Sequence, residues 1–253
     1  MHVHQHSHTG PDNHQGKRWT HYLWEFFMLF LAVFCGFLAE WQLERTIEHQ
    51  REKQFIRSLK EDLVRDTSYV RSYIKFNKVL LQYCDSVQFA ISSSDIFKNS
   101  NSFYNYSRVL AQFMRYYPTD RTIQQLKNAG NMRLIRNWDV SNAITDYDIK
   151  TKYLAELDAQ LNEQIIKYRE YLIDFLDLSS YDKQNPFGSF MDNNIRTQGN
   201  PGYINNDVKR AKVIYNQAFT LKMFLEGVEN SAVEMIANEK QLVDMLEKEY
   251  HLQ

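Results

Sequence analysis

Histidine is the side chain most often recruited to hold a metal or move a proton, and five of the chain's eight histidines fall in its first fourteen residues. His2, His4, His6 and His8 alternate, and His14 follows. Imidazoles on such a segment can chelate zinc, copper or nickel, but nothing nearby fixes their geometry or supplies a second shell. The pattern therefore reads as a solvated tail, and no metal site or cofactor is assigned. Beyond it only His21, His49 and His251 remain. The chain contains no His-Glu-x-x-His, no Glu-x-x-His pair for a di-iron bundle, no Gly-x-Ser-x-Gly elbow and no glycine-rich phosphate loop. No carboxylate pair stands out from those expected on helix surfaces. No catalytic residue is assigned and an enzyme is not expected; a buried cluster of carboxylates would reopen that question.

Three other charged patterns invite a binding role. Glu40, Glu44, Glu48 and Glu52 recur every four residues, with Arg45, His49 and Lys53 one residue on. Such rows can guide pairing between subunits, which makes Glu44, Arg45, Glu48, Glu52 and Lys53 candidates for oligomer contacts; the plain alternative is a solvated stalk. In "RTIQQLKNAGNMRLIRNWDVSNAI", Arg121 to Ile144, a Met132/Leu134/Ile135 plug alternates with Arg133 and Arg136. These two arginines are candidates for an anion or partner contact, against a tight helix corner packed between longer helices. Across the whole chain, 30 Lys+Arg against 31 Asp+Glu leaves a net charge of -1, so no global field draws in nucleic acid.

The elements that must position these groups begin with an apolar run. Phe26 to Ala39 carries no polar side chain stronger than a thiol. At about 1.5 Å per residue, Trp19 to Trp41 covers roughly 33 Å, against a hydrocarbon core of about 30 Å. Trp19, Tyr22, Trp24 and Trp41 sit at its two ends, where amphipathic rings prefer the headgroup region. Glu25 and Glu40 also lie near the ends, where a carboxylate is tolerated. The run is apolar all round, unlike a soluble surface helix. We read it as an uncleaved membrane anchor; a cleaved signal peptide and a buried helix are the alternatives. Lys17 and Arg18 before it nearly balance Arg45, Arg51 and Lys53 after it, so orientation follows the default of tail inside and domain outside. Ala32, Cys35, Gly36 and Ala39 form a small-residue strip that could let helices approach.

Only 8 glycines and 4 prolines, beside 16 Tyr and 16 Phe, argue for long helices. Apolar spacing predicts one helix from the anchor to about Ser92, a loop at "SSSDIFKNSNS", and a helix from Phe103 through Met114 stopped by Pro118. A short helix capped by Thr119 or Asp120 and stopped by Gly130 follows. The period returns from Asp139 to about Leu178, and residues 179–205 form a long loop. Asn206 or Asp207 caps a last helix, which Gly227 could bend. The expected organisation is a disordered tail over 1–18, an anchor over 19–43 and a helical domain over 44–253. The expected fold is all-α, an N-terminal transmembrane helix continuing into an antiparallel bundle of long helices.

The anchor with its charged stalk, followed by "IQQLKNAGNMRLIRN", resembles a family of uncharacterised bacterial single-pass membrane proteins. The shared pattern is a Leu-x-x-Asp-Leu step, here Leu59, Asp62 and Leu63, and a Leu-Lys-x-x-Gly-x-x-x-Leu-Ile corner, here Leu126, Lys127, Gly130, Leu134 and Ile135. The resemblance implies an inner-membrane location and supplies no activity or ligand. The expected function is a membrane-anchored helical interaction or assembly module without catalysis. Its partners would be the bilayer and further copies or other membrane proteins. A small-molecule sensor of the cell envelope, binding near the 179–205 loop, is the alternative.

Overall fold

The computed structural model describes residues 15–93, 95–128, 130–181, 197 and 199–252. Within them the protein is all-α: α1 is Gln15–Ser92, α2 Ser100–Leu110, α3 Arg121–Asn128, α4 Trp138–Ile173 and α5 Val208–Tyr250. Helix α1 ends at the predicted residue. It starts at Gln15, so the last residues assigned to the tail are helical, while residues 1–14 with most of the histidines lie outside the described residues. The chain divides into two units, residues 1–52 and 53–253.

In the first unit, α1 is long and apolar enough to cross a membrane, and none of its apolar window is buried. Phe26, Phe30 and Phe34 stack along one side with ring centroids 6.4 and 5.9 Å apart. At the ends, His21 meets Glu25 at 3.1 Å and the Arg45 guanidinium lies 4.4 Å from the centre of the Trp41 ring.

The second unit is built on three long helices. Pairs Lys60–Glu247, Thr67–Glu239 and Lys78–Glu229 run α5 antiparallel to α1. Pairs Lys150–Glu234 and Arg210–Asp174 run it antiparallel to α4. It follows that α1 and α4 are parallel, and Asp66–Tyr147 and Tyr73–Asp158 show it directly. Parallel neighbours need a return path. From Ser92 back to the level of Asp66 and Asp62 is about 40 Å, and residues 100–120 as helix would span only about 31 Å. This explains why α2 stops at Leu110 and not at Met114. Residues 112–120 form neither helix nor strand, and chain freed from the helix can rise by up to about 3.3 Å per residue, which makes up the distance.

That stretch has no ladder of its own, so the helices satisfy it. Arg169 donates to the Ala111 carbonyl at 2.7 Å, and the Tyr69 hydroxyl donates to the carbonyl of Arg115. Tyr116 points inward and is buried. Helix α4 begins one residue earlier than expected because Asn137 caps it, accepting from the N–H groups of Asp139 and Val140. Asp207 caps α5, as expected, by accepting from Lys209 N–H. Helix α5 continues unbroken through Gly227.

Of the 179–205 loop, residues 182–196 and 198 lie outside the described residues. The described part closes against α2: Tyr181 pairs with Thr197 and Leu176 with Tyr203 as isolated antiparallel bridges. Tyr203 packs on Phe175 at 4.7 Å and on Tyr104 at 5.7 Å, and Phe103 meets Phe175 edge-on at 6.0 Å. The Tyr104 hydroxyl donates to Gly202 O at 2.6 Å and accepts from Asp177 N–H at 2.7 Å.

Candidate functional site

The polar side chains that come together are neither the histidines nor the two arginines. They are acids and phenols inside the second unit. Asp62 and Asp66 lie one turn apart on α1, and both are buried with Asp158 of α4 and Glu239 of α5. Each carboxylate receives donors from other elements. Asp62 accepts from the Thr122 N–H at 3.2 Å and from the Thr122 hydroxyl, and pairs with Arg121 at 3.3 Å. The first-turn N–H groups of a helix need acceptors, so α1 supplies the cap of α3. Neither Thr119 nor Asp120 is seen in that role; the Asp120 carboxylate bonds the Gln124 side chain instead.

Asp66 accepts from the Tyr147 hydroxyl at 2.6 Å, the Tyr116 hydroxyl at 3.2 Å and the Thr119 N–H at 3.2 Å. Glu239 accepts from the Thr67 hydroxyl at 2.8 Å and lies 3.3 Å from the Tyr147 oxygen. Asp158 accepts from Tyr73 at 2.7 Å and from Asn162 at 3.0 Å. Tyr116 reaches Asp66 through its hydroxyl. Burial pushes the Tyr147 and Tyr116 phenols well above their ordinary range, and the neighbouring Asp66 and Glu239 charges push the same way. They are neutral donors at any ordinary pH.

The corner residues have structural assignments. Leu126, Leu134 and Ile135 are buried, and Lys127 pairs with Asp148 at 2.6 Å. Burial opposes the Asp148 charge, but hydrogen bonds from Lys127 and Lys152 outweigh it and hold the carboxyl below its usual range. Gly130 sits at φ 63°, ψ 17° in the left-handed region that stops α3. A Cβ there would meet no atom within 4 Å, so Gly130→Ala should cost only backbone strain, about 1–2 kcal/mol. Gly130→Asn should recover part of it, as a urea titration of both variants would read.

Arg133 and Arg136 are exposed on the short turn after Gly130, and Arg136 has a partner. In the first unit, Trp19, Tyr22, Trp24, Glu25, Glu40 and Trp41 are all exposed, as are Glu44 and Arg45. Glu48 is half-buried, and Glu52 is buried with its carboxylate 3.2 Å from His49 Nδ1. Lys53, in the second unit, is half-buried. Among the described residues, no three metal-binding side chains cluster as a metal site.

A cleft of about 840 Å³ opens where α1 passes the end of α5, lined by Arg57, Lys60, Arg65, His251, Val64 and Leu252. Its positive charge is partly offset, because Lys60 pairs with Glu247 at 2.8 Å and Glu61 also lines the wall. It lies at the opposite end of α5 from the 179–205 loop.

The residues that build the carboxylate network were not singled out by the sequence analysis, except Asp62. The available signal was their phase. Asp66, Asp158 and Glu239 stand where the apolar period of their helices calls for a core residue. Fold and site together define a class: an all-α bundle with a sealed acid–phenol network, in a chain that also carries one helix able to cross a membrane. No family model, curated protein or solved structure matches the chain.

Proposed function

We propose that the protein is a single-pass protein of the bacterial inner membrane whose helical bundle is a non-catalytic interaction and assembly module on the periplasmic side. The observation that carries this reading is the pairing of a fully exposed apolar helix with a bundle whose converging polar groups are spent on its own segments. A catalytic carboxylate must reach a substrate. Asp62, Asp66 and Glu239 are sealed and receive their hydrogen bonds from the protein. On the outside, Trp138, Ile149 and Tyr153 share one face of α4 and are all more than half exposed. A second copy is the occupant of that face: anchored copies share one orientation in one plane, which raises their effective concentration. Ile149→Glu with Tyr153→Glu should then turn oligomers into monomers in detergent. The cleft beside Arg57 and Arg65 favours the alternative, a sensor of small anionic ligands; saturable anion binding lost in Arg57→Ala would support it.

Topology decides the first point. Lys98 is exposed in the turn before α2, and Lys98→Cys places a reporter there. Cys84 is buried, and burial pushes its thiol up to about 12, so it gives no background. A thiol reagent that crosses the outer but not the inner membrane should label the introduced thiol in intact cells. Labelling only after lysis would place the bundle in the cytoplasm and overturn the periplasmic assignment. Loss of the protein from the membrane fraction would overturn the anchor itself.

A further inference from the structure

We propose that Asp66 and Glu239 form a buried proton-binding site that locks the bundle: one proton held between their carboxyl groups ties α1, α5 and the 111–120 stretch together, and its loss frees that stretch. Both side chains are fully buried, one on α1 and the other on α5, and the Tyr147 hydroxyl oxygen lies 2.6 Å from Asp66 and 3.3 Å from Glu239. A phenol has one hydrogen to give, so with both acids ionised one of these contacts would set oxygen against oxygen with no hydrogen between them. A proton on one of the acids removes that conflict.

The surroundings leave no other way to balance the charge. Among the described residues no lysine, arginine or histidine pairs with either acid; Arg121 pairs with Asp62, and the Arg115 charge acts on Asp158. The groups facing the pair are Tyr147 from α4, Tyr116 from the 111–120 stretch, and Tyr69 and Thr67 from α1. Asp62 and Asp158 add only negative charge to the same region. Tyr147 and Tyr116 have one hydrogen each, and Thr67 shares its hydrogen between Glu239 and the Leu63 carbonyl 3.0 Å away. Two ionised carboxylates here would be like charges in low dielectric with too few donors.

The electrostatics agree. Burial raises the Asp66 carboxyl above its ordinary value, and burial together with the Asp66 charge pushes Glu239 up to about 8. An unfolded glutamate releases its proton near 4.5. Between these values the folded chain holds a proton that the unfolded chain has lost. Stability is therefore fully present below about 4.5 as far as this group is concerned, and falls as pH rises through about 8. Above that pH a second charge enters the core. The bonds from Asp66 to Tyr116 and Thr119 N–H are then the ones that yield, because they hold a stretch with no secondary structure of its own.

Arg115 is exposed in that stretch, so trypsin can report on it. The full chain in detergent, with cleavage rates normalised to an unfolded peptide carrying the same site, should be cut after Arg115 at least tenfold faster at pH 9 than at pH 7. Glu239→Gln keeps the shape and a hydrogen without the charge, and should stay protected at both. Equal normalised cutting of the native chain at the two values would overturn the proposal, as would an equal rise in Glu239→Gln. A second reading needs no variant. The carbonyl stretch of a protonated carboxyl group should be present in the native chain at pH 7 and absent at pH 9. Its absence at pH 7, or protection that requires sodium in place of choline in the buffer, would sink the proton site.

Discussion

Asp62→Ala should destabilise the bundle by about 3 kcal/mol, a large loss for a single side chain outside the apolar core. The carboxylate is 1% exposed, and it is the acceptor for two donors of Thr122, one of them a helix-terminal N–H. Removing it leaves both donors buried without a partner, at about 1–3 kcal/mol each before relaxation. The ion pair to Arg121 adds little, because that arginine is 63% exposed. Helix α3 has only eight residues and cannot persist on propensity alone, so losing its cap should also loosen the corner that Gly130 completes. Asp62→Asn retains an acceptor and should cost about 1 kcal/mol. Urea titrations of the full chain in detergent would measure both. Glu61→Ala, one residue away and exposed, is the control and should stay within about 0.5 kcal/mol. If Asp62→Ala behaved like the control, α3 would not depend on α1 for its cap.

The main helices were legible because their signals are local. The end of α1 at Ser92 and the Asp207 cap of α5 follow from apolar period and capping chemistry within a few residues. The early stop of α2 was not legible, because Phe113 and Met114 continue a helical pattern. What ends the helix is distance: the chain must return along α1 to reach Asp66, and Asp66, Arg169 and Tyr69 hold it there. Those partners lie 46 to 58 residues away in sequence.

The network was hidden for a related reason. Between Leu63 and Val70 on α1, between Leu154 and Leu161 on α4, and between Met235 and Leu242 on α5, the expected core position holds Asp66, Asp158 or Glu239. A charge at core phase looks like a surface residue when each helix is read alone. Only the packed bundle shows that the gaps face one another, with tyrosines at matching levels to donate into them. The Leu-x-x-Asp-Leu step had marked Asp62 without a reason; the reason is the cap it gives α3. Lys127 and Gly130, marked in the same way, turn out to fix the corner to α4 and to end α3. These motif residues are architectural.

On the proposed anchoring, replacing both Phe30 and Phe34 with Arg should remove the protein from the membrane. Nine Phe, Leu and Val residues between Phe26 and Leu38 together favour insertion by about 3–5 kcal/mol. Each arginine near the middle of the span costs about 2.5–3.5 kcal/mol and forfeits the contribution of the phenylalanine it replaces. The pair therefore turns a favourable insertion unfavourable by roughly 1–5 kcal/mol. The two rings stack on each other at 5.9 Å and belong to a helix segment with nothing buried, so the substitution removes no buried packing. Carbonate-washed membranes should retain the native chain and lose the double variant, while the Lys78–Glu229 and Thr67–Glu239 contacts keep the bundle helical by circular dichroism. A variant that stayed in washed membranes would mean that the bundle, and not the apolar run, holds the protein there. A variant that lost its helical signal as well would mean that the apolar run is part of a folded core. The two failures are distinct, and each would redirect the search for partners: to the bilayer-facing surface of the bundle in the first case, and to a soluble assembly in the second.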